Sequence, residues 1–120
     1  MDGEYRLRRM IGRLSHVADV VVRVEPSARD EVTVSDDVFG WRRDVYGPDA
    51  YGYGEWDDQR AAEAIAGVRD AVARSGGDSY RVTVIKIFCT ETDTQIGDVR
   101  FAAAQAVARA LGIPPVIGPN

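Results

Sequence analysis

YRVTVIKIFCTETDTQIGDVRFAAAQAVARAL, residues Tyr80–Leu111, contains a strand, a polar turn and a helix in one uninterrupted run. In Tyr80–Phe88, Val82 and Val84 share one face while Ile85 and Ile87 share the other. Apolar groups on both faces predict a central strand, or a bulge that shifts the alternation. The polar CTETDTQIGD segment cannot continue that strand. Asp98 is a predicted N-cap for a helix over Val99–Leu111, with Val99, Ala103, Ala106 or Val107, and Ala110 or Leu111 as its buried stripe. Gly112 and then Pro114-Pro115 stop it.

Upstream, Gly12–Pro26 reads GRLSHVADVVVRVEP. Val17–Glu25 is a predicted strand, with Val20, Val22 and Val24 on one face and Asp19, Arg23 and Glu25 on the other. Pro26 ends it by removing a ladder donor. Ser27–Asp30 turns into a second strand, Glu31–Ser35, and the short connection predicts a hairpin or meander with antiparallel pairing. Met1–Ser15 fits either a short helix through Leu7, Ile11 and Leu14 or a strand through Tyr5, Leu7 and Arg9.

Asp57–Ser75 is amphipathic through Ala61, Ile65, Val68 and Val72, with Asp57 or Asp58 as cap and Gly76-Gly77 as stop. Between the two halves, Asp36–Glu55 is irregular and dense in glycine and aromatic residues. Counting a third short strand near Val38–Trp41, the order is β-β-β-α-β-α. That pattern predicts an α+β fold, a two-layer α/β sandwich with two helices on one face of a mostly antiparallel sheet.

The 120 residues fit one domain, and the 45% hydrophobic and 28% charged content suits a globular core. The division expected is an N-terminal arm or first short element over 1–15, a folded domain over 9–111 and a Pro-rich tail over 112–120. A net charge of −4 argues against indiscriminate nucleic-acid binding, which feeds on phosphate contacts. One cysteine, Cys89, excludes an intrachain disulfide, and with His16 as the one histidine it excludes a His/Cys zinc site. Val20–Val22 is too short an apolar run for a signal peptide or membrane span, so a cytoplasmic protein with no membrane partner is expected.

GPDAYGYGEW holds a GxG but lacks the lysine and frame of a phosphate-binding P-loop. Ser15, His16 and Asp19 lie close in sequence without a nucleophile elbow or oxyanion hole. Asp30, Glu31, Asp36 and Asp37 lack the spacing of a calcium loop and read as a solvated rim. No cofactor and no enzymatic activity are expected.

Three stretches resemble domain IV of translation elongation factor G and of the ribosomal-protection tetracycline-resistance proteins. These are GRLSHVADVVVRVEP, the helix AIAGVRDAV over Ala64–Val72 with its Gly67, and the strand–loop–helix of Tyr80–Leu111. The resemblance covers roughly Arg9 to Leu111. It implies the fold of the second domain of ribosomal protein S5, including an unusual left-handed β-α-β crossover where a right-handed one is the rule. It also implies two tip loops that meet tRNA and mRNA. These correspond here to Gly12, Arg13, Leu14, Ser15 and His16, and to Thr92, Asp93, Thr94, Gln95 and Ile96. The sequence departs from the family pattern in placing Thr92 where the second loop carries a histidine, and in lacking the second glycine and the aromatic of the first loop.

Two functions are therefore expected of the fold. The first is a non-enzymatic binding module that contacts the ribosome or structured RNA through Gly12, Arg13, Ser15, His16, Thr92, Asp93 and Thr94. The second is a protein-interaction or self-association module using the aromatic segment 36–56, with Trp41, Tyr46, Tyr51 and Tyr53 as its contacts. A basic patch of Arg6, Arg8, Arg9 and Arg13 beside His16 would favour the first, and an apolar patch of those aromatics the second.

Overall fold

Alternation of small β-branched residues puts Ala18, Val20, Val22 and Val24 on the buried face of one long strand, and the rest of the fold is assembled against it. The computed structural model describes residues 1–50 and 54–115. Its strands are β1 (Asp2–Ile11), β2 (Leu14–Pro26), β3 (Glu31–Val34) and β4 (Tyr80–Phe88), and its helices are α1 (Trp41–Tyr46), α2 (Glu55–Arg74) and α3 (Asp98–Leu111). The four strands form one sheet in the order β1-β2-β4-β3. The helices α2 and α3 pack on each other and cover one face, giving the two-layer α/β sandwich expected from the sequence.

The ambiguous first stretch is a strand. β1 pairs antiparallel with β2 from Asp2↔Arg23 to Ile11↔Leu14, and Gly12, at φ +62°, takes the tight turn between them. β4 pairs antiparallel with the other edge of β2, from Pro26↔Tyr80 to Asp19↔Phe88. The register shifts at Val21/Val22, and this bulge lets Val82 and Val84 below it and Ile87 above it all reach the core. Both readings of the two-sided apolar pattern thus hold together.

Two expectations about strands are corrected. Glu31–Val34 does not form a hairpin with β2; it runs parallel to β4, with Glu31↔Arg81 through Val34↔Val84. Both edges of β2 are already taken by longer partners, so the chain passes the start of β4 and uses its remaining edge. Ser27 N–H donates to Ser79 O at 3.1 Å, and Tyr80 N–H to Asp30 Oδ1 at 3.0 Å, which ties that passage down. Val38–Trp41 is not a third strand but a turn leading into α1. It keeps one edge contact, with Ile87 N–H donating to Val38 O at 3.0 Å.

The helices differ from the sequence reading in rotation and capping. The buried line of α2 is Asp57, Arg60, Ala64, Gly67, Val68 and Ala71, turned from the predicted 61/65/68/72 stripe because α3 as well as the sheet packs on it. At Gly67 an added Cβ would lie 2.1 Å from Arg100 O, so glycine sets the closeness of the two helices. α3 is buried continuously from Asp98 to Ala108 apart from Arg100, since its alanines let the sheet and α2 approach together. Gly54, not Asp57 or Asp58, occupies the N-cap of α2, and Gly97 precedes α3 where Asp98 was expected to cap it.

Candidate functional site

The β1–β2 turn and the polar loop between β4 and α3 meet at one end of the molecule. Val17 N–H donates to Asp93 O at 3.0 Å, and Thr94 Oγ1 donates to Val17 O. Gln95 Nε2 donates to Ser15 O at 3.0 Å. Thr94 Oγ1 also accepts from Thr90 N–H at 2.9 Å, and Thr90 Oγ1 from Asp93 N–H at 3.1 Å, so the second loop is folded back on itself. The polar residues that could not continue the strand are used to close this loop and fasten it to its neighbour.

His16 is drawn into the same network. Its Nδ1 lies 2.7 Å from Asp98 Oδ1, while Asp98 Oδ2 accepts from Gln95 N–H at 2.7 Å. Asp98 is almost wholly buried and His16 nearly so. The vacated helix-capping role passes to Glu63, whose Oε1 accepts from Gly97 N–H at 3.0 Å and Arg100 N–H at 3.3 Å. Glu63 Oε2 is in turn 3.1 Å from Arg60 Nε.

Of the residues assigned to the tip, Gly12, Arg13 and Thr92 are exposed, Ser15 and Asp93 half-buried, and Thr94 buried. Ser15 Oγ faces Met10 Sδ at 3.2 Å. Thr94 and His16 therefore hold the tip together instead of projecting from it. What projects is largely apolar: Met10 is 64% exposed, Leu14 56% and Ile96 87%, with Ile11 and Arg13 beside them.

The arginines of β1 do not make a single basic patch. Arg8 donates from both terminal guanidinium nitrogens, Nη1 and Nη2, to Asp19, and Arg6 Nε lies 3.5 Å from the same carboxylate. This hydrogen bonding raises the Arg8 pKa above its ordinary value. Arg9 lies on the other side of the strand, its guanidinium 5.8 Å from the Phe101 ring. Strand alternation divides what looked contiguous in sequence.

A second site lies between α1, the start of α2 and the end of β4. It is a cleft of about 540 Å³ whose aromatic walls are Trp41, Tyr46 and Trp56 and whose polar lining includes Asp57, Cys89 and Glu91. Trp41 is buried, donates Nε1–H to Ile87 O at 2.6 Å and packs on Phe88 with ring centroids 4.5 Å apart. Tyr46 is 66% exposed, and the Arg60 guanidinium lies 5.0 Å from the Trp56 ring. Tyr51 and Tyr53, the other two predicted contacts, lie outside the described residues.

Arg42 reaches across the cleft floor to Asp57 in a bidentate pair of 2.7 and 2.8 Å, which raises the arginine's pKa. Burial pushes the Cys89 thiol up to about 12, against the opposing pull of Arg42 and Arg60, so it stays protonated and a poor nucleophile. Sequence reading missed Asp57 here, because its position near a helix start resembled a cap. Among the described residues no cluster of three or more His, Cys, Asp or Glu side chains is placed to hold a metal ion, and no helix is long and apolar enough to cross a membrane.

No family model matches the chain, and no curated protein does. A crystal structure of a protein from Thermus thermophilus is similar at a TM-score of 0.61 and 16% identity, over 88% of this chain and 14% of that one. The chain thus spans 14% of the length of that protein, and the likeness shows the fold alone.

Proposed function

We propose that this domain is a non-enzymatic binding module that meets its partner through the tip where the β1–β2 turn joins the 90–97 loop, the partner being the ribosome or a structured RNA. One observation carries the reading. Two loops separated by more than seventy residues are fastened to each other by Val17–Asp93, Thr94–Val17 and Gln95–Ser15 bonds, leaving Arg13, Leu14 and Ile96 outermost. Such fixed loops present side chains at low ordering cost. The resemblance to domain IV of elongation factor G supplies the partner class. Arg13 is the tip's cationic contact for phosphate, and Leu14 and Ile96 offer apolar surface to a base or ribose.

Pelleting with 70S ribosomes at low and moderate salt tests this reading. Salt-sensitive binding that is lost in Arg13→Ala and weakened in Leu14→Ser is expected. His16→Ala is a poor probe, because it removes the Asp98 contact that shapes the loop. Absence of binding at both salts overturns the proposal.

The aromatic cleft favours a second reading, a protein-interaction module. The exposed Tyr46 packs on Trp41 with ring centroids 6.2 Å apart, and with Trp56 they line a concavity large enough for one side chain of a partner. Binding that persists in Arg13→Ala but is lost in Tyr46→Ser would move the contact to this cleft.

A further inference from the structure

The free edge of β1 carries a charge pattern that is complementary to itself. Among the described residues β1 is the outermost strand of the sheet on its side, paired on one edge by β2. Met1 exchanges backbone bonds with Val24, with Met1 N donating at 3.0 Å and Val24 N–H donating at 2.7 Å. Odd-numbered residues of β1 therefore bond inward to β2, and the N–H and C=O groups of Asp2, Glu4, Arg6 and Arg8 face the open edge. Glu4 O confirms that direction, since Arg109 Nη1 donates to it at 3.0 Å from outside the ladder. The same four residues place their side chains on the face away from the helices, as the Arg6 and Arg8 contacts with Asp19 require.

Along that face the charges run negative, negative, positive, positive. We infer that β1 pairs antiparallel with β1 of a second copy of this chain, about a two-fold axis at Tyr5, joining two four-stranded sheets into one. In that register Asp2 faces Arg8 of the second copy and Glu4 faces Arg6, and the symmetry repeats both contacts. Every outer-face pair is then of opposite charge, and every open backbone group of the four residues finds a partner.

Neighbouring registers lack this property. An axis at Arg6 sets that arginine against itself, and an axis at Leu7 sets Arg6 against Arg8 twice. Since a two-residue slip keeps the same face and changes only these pairs, charge selects the register. Arg109 need not leave, because a carbonyl oxygen accepts two hydrogen bonds. At the axis the two Tyr5 rings meet as a non-hydrogen-bonded pair, where side chains stand closest. Each already packs edge-on against Phe101 at 5.7 Å, so the ring is held in place before association.

Sedimentation equilibrium on the purified chain tests the inference. The expected result is a dimer that weakens with added salt. Glu4→Arg replaces two attractive contacts by two Arg–Arg contacts and should weaken it about tenfold or more. The exchange Glu4→Arg/Arg6→Glu restores opposite pairs and should restore the dimer. Circular dichroism of each variant checks that the exposed substitutions leave the fold intact. A wild-type monomer at all concentrations overturns the inference. So does a dimer indifferent to Glu4→Arg, or one that the double exchange fails to restore.

Discussion

Thr94→Val isolates the contact that fastens the two tip loops. Valine reproduces the shape of threonine but removes the hydroxyl that donates to Val17 O and accepts from Thr90 N–H. Two backbone groups lose their partner at a site where Thr94 is 5% exposed. Each orphaned buried group costs about 1–3 kcal/mol, and because Val17 and Thr90 are only half-buried the lower end applies. The expected loss is about 2 kcal/mol in all, or roughly 5–10 °C in Tm for a domain near this size. Thr94→Ser keeps the hydroxyl and forfeits one methyl group, for about 1 kcal/mol. Urea unfolding followed by circular dichroism measures both losses, and amide exchange at Thr90 locates the effect. Exchange at Thr90 should accelerate in the valine variant and not in the serine variant. A valine variant within about 0.5 kcal/mol of wild type, the scatter expected of a neutral surface change, or one matched by serine at Thr90, would refute the idea that this hydroxyl joins the loops.

Gly67→Ala should destabilise the fold despite a gain of about 1 kcal/mol in helix propensity. Its Cβ would sit 2.1 Å from Arg100 O, and parting the helices costs about 1–3 kcal/mol or more. Thermal melts against wild type supply the comparison; a variant that melts at or above wild type would sink the close-approach argument. Cys89 gives a pH dependence. Its thiol is raised from 9.0 to about 12 in the fold, so between those values the unfolded chain is deprotonated while the native one holds its proton. Stability from this group is full below about pH 9 and falls by about 1.4 kcal/mol per unit above it. Urea unfolding at about pH 8 and about pH 10, on either side of that onset, should show a steeper fall for wild type than for Cys89→Ala, and parallel falls would contradict the burial of the thiol.

Local periodicity made most elements legible. Alternating valines marked β2, the two-sided apolar run marked β4, and glycine pairs and prolines marked where helices stop. The irregular 36–56 stretch gave no period, and α1 with its buried Trp41 was invisible there. The tip was legible as two loops only through resemblance, and the roles inside it were not. A histidine in a polar loop looks the same whether it faces solvent or, as His16 does, a buried carboxylate eighty-two residues away.

The sequence by itself determined which segments are strands and helices and which faces are apolar, because those depend on neighbours within a few residues. Tertiary structure decided which edges were free. β3 went to β4 because β1 and β4 had occupied both sides of β2, a competition no window of sequence contains. It also rotated the buried line of α2 toward α3, divided the arginines of β1 between two faces, and tied Thr94 and His16 into hydrogen bonds that join the tip loops to the rest of the fold. Long-range hydrogen bonds and ion pairs assign a polar side chain its role, and their partners are fixed only once the chain has closed.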